Sequence, residues 1–280
     1  MFKQILVPLD GSMLAERALP VAAQLAHATH ATLHLVRVVP VVATPWLEWG
    51  EELSDEIIDK ITGTNMRTAA NYLDTVSKRL VAQGITTRTA QPTGNVTSNL
   101  LDYERDEGID LVVMCTHGHS GLDRFVLGSI SARLLSYGAA PVLMVHAFGP
   151  SAPLEHAVVP LDGLAEHEDA LQAVIALMPV MVHGVSLLRV IASVEQQEEA
   201  ERYLAAVSDR LVQQGIQVTE RRVVVGDPPT EIRAMISAGQ LVVMVAHTRV
   251  HLIRWFDTLV DDAVEHGAID VLFMRSKKQG

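Results

Sequence analysis

A duplication constrains this chain more than any other feature. The run Ile5-Leu6-Val7-Pro8-Leu9-Asp10-Gly11 recurs as Ala157-Val158-Val159-Pro160-Leu161-Asp162-Gly163, 152 positions later. Lys78-Arg79-Leu80-Val81-Ala82-Gln83-Gly84-Ile85 is echoed by Asp209-Arg210-Leu211-Val212-Gln213-Gln214-Gly215-Ile216, and Leu111-Val112-Val113-Met114 by Leu241-Val242-Val243-Met244. Landmarks in one order, twice over, mean two copies of one supersecondary plan. The offset falls from 152 to about 131, so the first copy carries about twenty residues, near Val41 to Ile57, that the second lacks. The Gly/Pro/Ser cluster Phe148-Gly149-Pro150-Ser151-Ala152-Pro153 separates the copies and places the expected domains at 1–148 and 153–280. A length of 280 residues suits two domains of ordinary size.

Within the first copy, short apolar runs alternate with stretches of helical period. Strands are expected at Ile5 to Leu9, Thr32 to Val39, Thr86 to Gln91, Leu111 to Cys115 and Val142 to His146. The helices between them are expected at Met13 to Ala28, Asp55 to Gln83, Val96 to Glu107 and Ser129 to Tyr137. Strand and helix in alternation build a parallel α/β sheet with helices on both faces, and near-continuous apolar strands fit burial on both sides. Ligands of such sheets sit beyond the carboxyl ends of the strands, where the strand order reverses. The informative residues are therefore those that follow each strand.

Composition removes several classes of function. A chain that is 49% hydrophobic and 20% charged is globular rather than disordered. A net charge of -11 argues against nucleic acid or an anionic membrane as partner. One cysteine, Cys115, permits no internal disulfide, and neither a signal-peptide pattern nor a membrane-spanning apolar run is seen, so the cytoplasm is the expected compartment.

After the fourth strand comes Thr116-His117-Gly118-His119-Ser120-Gly121, continuing to Gly128-Ser129-Ile130-Ser131. Glycines let the backbone approach a ligand, and Gly128-Ser129 opens a helix whose free N–H groups favour an anion. Ser129 and Ser131 add hydroxyl donors. The same residues also serve as ordinary turn and capping chemistry. No Walker loop is present.

These residues resemble the universal stress protein family, with both halves of the chain as family domains in tandem. Its ATP-binding members carry Gly, two residues, Gly, nine residues, then Gly-Ser or Gly-Thr after the fourth strand. Gly118 and Gly128-Ser129 match the later parts, while Cys115 stands where the family has its first glycine. Val7-Pro8-Leu9-Asp10-Gly11-Ser12 matches the first-strand signature, whose aspartate lies near ribose and adenine. Val38 and Val39 match the place where the family holds adenine by backbone hydrogen bonds, and the reading commits to the backbone of Val39. The resemblance thus implies a nucleotide set of Pro8, Leu9 and Asp10 from the first strand, Val38 and Val39 from the second, Thr116, His117, Gly118 and His119 from the loop, and Gly128, Ser129, Ile130 and Ser131 at the helix start. It implies two sheets of order 3-2-1-4-5, ATP as ligand with Mg²⁺ admitted near Asp10, and pairing through the last strand as a homodimer or an intramolecular pseudo-dimer. It further implies a stress-response regulator whose nucleotide-bound state is read by a protein partner.

The second copy keeps Asp162 but has Thr248 at the position of Gly118 and Thr258-Leu259 at that of Gly128-Ser129. Asp257, Asp261 and Asp262 add negative charge at the presumed helix start, so nucleotide is expected in the first half alone. Other residues have plain alternatives. Asp10 suits a ribose contact, a Mg²⁺ ligand or an Asx cap; His117 and His119 lack the further ligands of a metal site; Cys115 suits a buried inert thiol or a redox sensor. Arg124 suits phosphate or solvent, and Trp46 and Trp49 suit a pocket cap or satellite packing. No second acid, lysine or water-positioning group accompanies Asp10, so a binding module is favoured over slow ATP hydrolysis, with a nucleotide-free interaction module as the other rival.

Overall fold

The computed structural model describes residues 2–41, 55–115, 129–146, 156–164, 169–177, 184–237, 239–246 and 270–275. In the first half the strands are β1 (Gln4–Pro8), β2 (Thr32–Val36), β3 (Thr87–Ala90), β4 (Leu111–Cys115) and β5 (Val142–Val145). The helices are α1 (Ala18–Thr29), α2 (Asp55–Val81), α3 (Val96–Asp106) and α4 (Ser129–Tyr137). In the second half, β6 (His156–Pro160), β7 (Gly184–Ile191), β8 (Val218–Val225), β9 (Gln240–Ala246) and β10 (Asp270–Arg275) alternate with α5 (Asp169–Leu177), α6 (Gln197–Gln213) and α7 (Pro228–Met235). The expected helix from Met13 begins instead with a short 3-10 turn, Ala15–Arg17, before α1. The expected second strand stops at Val36, and Val39 rejoins the sheet only as an isolated bridge to Thr93.

All strands join one sheet of order β3-β2-β1-β4-β5-β10-β9-β6-β7-β8. Each half thus has the order 3-2-1-4-5, parallel throughout. Period-2 alternation sends Ile5 and Val7 into one apolar cluster and Leu6 into another on the opposite face. The first cluster is closed by α1, α2, α5 and α6 through Leu25, Leu73, Val174 and Leu204, the second by α3, α4 and α7 through Leu100, Leu134 and Ile232.

The halves meet where β10 pairs antiparallel with β5. Leu143 pairs with Leu272, its own counterpart in the repeat, so a local two-fold axis passes between them. Both are fully buried, each worth roughly 1.5 to 3 kcal/mol of apolar burial. At the end of this seam the buried Asp270 accepts two hydrogen bonds from His146 on one oxygen, from the backbone N–H at 2.8 Å and from the ring Nδ1 at 2.6 Å.

Candidate functional site

Beyond the carboxyl ends of β1, β2 and β4 lies a cavity of about 390 Å³. It occupies the switch point, because β1 pairs with β2 on one side and β4 on the other. Of the expected ligand set, Pro8, Leu9, Asp10, Val38, Val39 and Ile130 are brought together on its wall. Ser129 is exposed at the first position of α4, and Ser131 is buried in the first turn with a hydroxyl that has no hydrogen-bond partner among the described residues. Neither serine is among the described residues that line the cavity. Thr116, His117, Gly118, His119 and Gly128 lie outside the described residues, as do Arg124, Trp46, Trp49 and, in the second half, Thr248, Asp257, Thr258, Leu259, Asp261 and Asp262.

Asp10 is exposed, and its Oδ1 accepts the Ser12 N–H at 2.8 Å. It is thus an Asx turn and a cavity group together. Gly11 has φ +91°, a conformation that favours glycine, and a Cβ there would stand 2.8 Å from Nη1 of Arg37, whose guanidinium would have to shift. The Arg37 guanidinium lies over the Tyr72 ring, 5.2 Å from its centroid, and lines the cavity. Burial and the neighbouring Glu16 push the Tyr72 hydroxyl's pKa well up, so it stays protonated.

The expectation that Val39 offers its backbone to a ligand needs correction. Its N–H donates to Pro92 O at 2.9 Å and its carbonyl accepts the Gly94 N–H at 3.0 Å, so both groups are engaged. Neighbouring residues of an extended chain direct their N–H and C=O to opposite sides. Val38 therefore turns its backbone groups toward the β1 side, past the end of that strand, and no backbone hydrogen bond engages them among the described residues. Val39 contributes to the wall only as a side chain.

Cys115 is 3% exposed and is not one of the cavity-lining residues. Burial pushes its thiol up to about 12, which is the behaviour of an inert thiol rather than a redox sensor. Two lining residues were not anticipated: Asn65 and Thr68, one helical turn apart on α2. Arg37 was missed as well, although Arg37 and Arg189 share the 152-residue offset of the repeat. No cluster of His, Cys, Asp or Glu able to hold a metal occurs among the described residues. No helix of the described residues is long and apolar enough to cross a membrane.

Residues 1–146 match the family model described as the Universal stress protein family. The chain belongs to that family. The universal stress protein YxiE of Bacillus subtilis is 29% identical over 147 residues, spanning 52% of this chain and 99% of YxiE. A universal stress protein of Methanocaldococcus jannaschii is 29% identical over 145 residues, spanning 52% of this chain and 82% of its own. The crystal structure of a universal stress protein from Archaeoglobus fulgidus superposes with a TM-score of 0.73 at 16% identity, covering 99% of this chain and 97% of that one. That likeness speaks to the fold, and it extends over both halves of this universal stress protein.

Proposed function

We propose that the first half, residues 1–148, binds an adenine nucleotide, ATP, and that the second, 153–280, is its degenerate partner. The observation that carries this is the cavity at the switch point, which gathers Asp10, Val38 and Ile130 beside the start of α4. A base can be held at the backbone of Val38, a ribose by Asp10, and phosphates toward the free N–H groups of the first turn of α4. Asp10 is the one carboxylate among the described lining residues, and hence the place where Mg²⁺ carried with ATP would be met. The second half retains the Asp162 turn, with Oδ1 accepting the Leu164 N–H at 3.0 Å, but not the glycines of the loop.

The function is regulatory: nucleotide shifts a conformational population that a protein partner reads. Pairing of β5 with β10 inside one chain supports an intramolecular pseudo-dimer in place of a homodimer through the same strand. Titrating Mg·ATP into nucleotide-free protein by calorimetry tests the assignment. One site per chain, abolished by Gly128→Asp, is expected; no binding at all overturns the proposal and leaves an interaction module.

A further inference from the structure

We infer that Asn65 is a specificity-determining residue that reads the N6/N7 edge of the bound purine. The inference rests on the nucleotide assignment above and adds a side chain to it.

Helix α2 runs for 27 residues, whereas its counterpart α6 runs for 17. Their common part is in firm register, since Ala69, Leu73, Val76 and Leu80 of α2 match Ala200, Leu204, Val207 and Leu211 of α6, and all eight are buried. The additional length is at the amino end and runs through Asn65, which lines the cavity one turn before Thr68, itself the counterpart of Glu199 in α6.

Asn65 makes no side-chain hydrogen bond among the described residues. Thr68 differs, because its hydroxyl donates to the Thr64 carbonyl at 2.9 Å. A carboxamide facing a cavity offers one donor and one acceptor side by side. Adenine presents the matching pair, an N6 amino donor next to the N7 acceptor, whereas guanine presents two acceptors there. Val38 supplies a backbone donor and acceptor to the same cavity, so base recognition need not come from one side only.

In the second half the corresponding positions are Gln196 and Glu199. Gln196 is turned away from such a role, its Oε1 accepting the Ala192 N–H at 2.9 Å, and Glu199 adds a carboxylate where the first half has a hydroxyl. The base-reading amide is thus present in the half that carries the cavity and engaged elsewhere in the other.

Calorimetric titration of the full chain and of Asn65→Leu with Mg·ATP and with Mg·7-deaza-ATP, which lacks only the N7 acceptor, tests this. Asn65 is exposed, and leucine favours helix, so the variant is expected to fold; its melting curve checks that. The wild type should prefer ATP by about tenfold, in the lower range of what a paired amide–adenine contact discriminates. Asn65→Leu should lose that preference and bind both ligands alike. If the wild type binds ATP but shows no preference, or the variant keeps the same ratio, the role of Asn65 is overturned while the nucleotide site stands. If the wild type binds neither ligand, the nucleotide assignment itself fails and this inference falls with it.

Discussion

Asp10-Gly11 in the first half and Asp162-Gly163 in the second fold alike. In each, the aspartate accepts a backbone N–H two residues on, and the glycine has a positive φ, +91° and +86°. In each, an arginine, Arg37 one residue past β2 or Arg189 in β7, packs against that glycine and lies over a tyrosine, Tyr72 or Tyr203, at 5.2 and 5.1 Å. What differs lies beyond this clamp: α2 extends at its amino end past the start of α6, so that Asn65, with Thr68 one turn on, lines a cavity over the strand ends, whereas Gln196 folds back onto Ala192. The Asp-Gly turn of this chain is therefore scaffold in both halves, and a cavity group where neighbouring segments complete a cavity around it.

The seam offers the hardest blow to the comparison. Asp270→Ala removes one partner of a buried hydrogen-bonded pair and should cost about 3 kcal/mol in chemical denaturation. If the halves are welded by that seam, the loss appears in one cooperative transition; two separate transitions would mean that each half stands alone.

Next come the turn glycines. Gly11→Ala and Gly163→Ala should each lower stability by about 1 to 2 kcal/mol, because an L-residue is strained at positive φ and the added methyl meets an arginine. Nucleotide affinity separates them: it should fall for Gly11→Ala and stay unchanged for Gly163→Ala. Equal loss of binding in both would undo the division into binding half and partner.

Smaller still, Arg37→Ala and Arg189→Ala should each cost about 1 kcal/mol of stability, as expected for a partly exposed cation–π contact. Thermal melts with and without Mg·ATP refine the contrast, since only Arg37→Ala should reduce the shift that ligand produces.

The mildest effect is pH. His34 bonds to Gln4 and Tyr103, and His156 to Ser186; burial holds both imidazoles below their ordinary value of 6.5. The unfolded chain takes up protons at these sites before the folded one does. Stability they support is present above pH 6.5 and is lost as pH falls below it. His34→Gln and His156→Gln should each flatten the acid limb of a stability-pH curve; a curve unchanged by both would remove these residues from acid unfolding.

Much of this architecture was legible in the residues alone. The repeat of Pro-Leu-Asp-Gly and the alternation of apolar runs with helical stretches led to two five-stranded α/β halves, and the end of α4 at Tyr137 was anticipated. Those features are local: side-chain period, turn chemistry and glycine placement act within a few residues. That the last strands pair within the one chain, the choice of Val38 over Val39 as the open backbone, the Arg–Tyr clamp and the arrival of Asn65 at the cavity were decided only by tertiary structure. Whether a backbone group is available depends on which neighbour its strand has and in what register. Whether a helical side chain meets a cavity depends on how far that helix overhangs the sheet. Neither quantity is a property of a short stretch of chain, so both become visible only once distant segments are packed together.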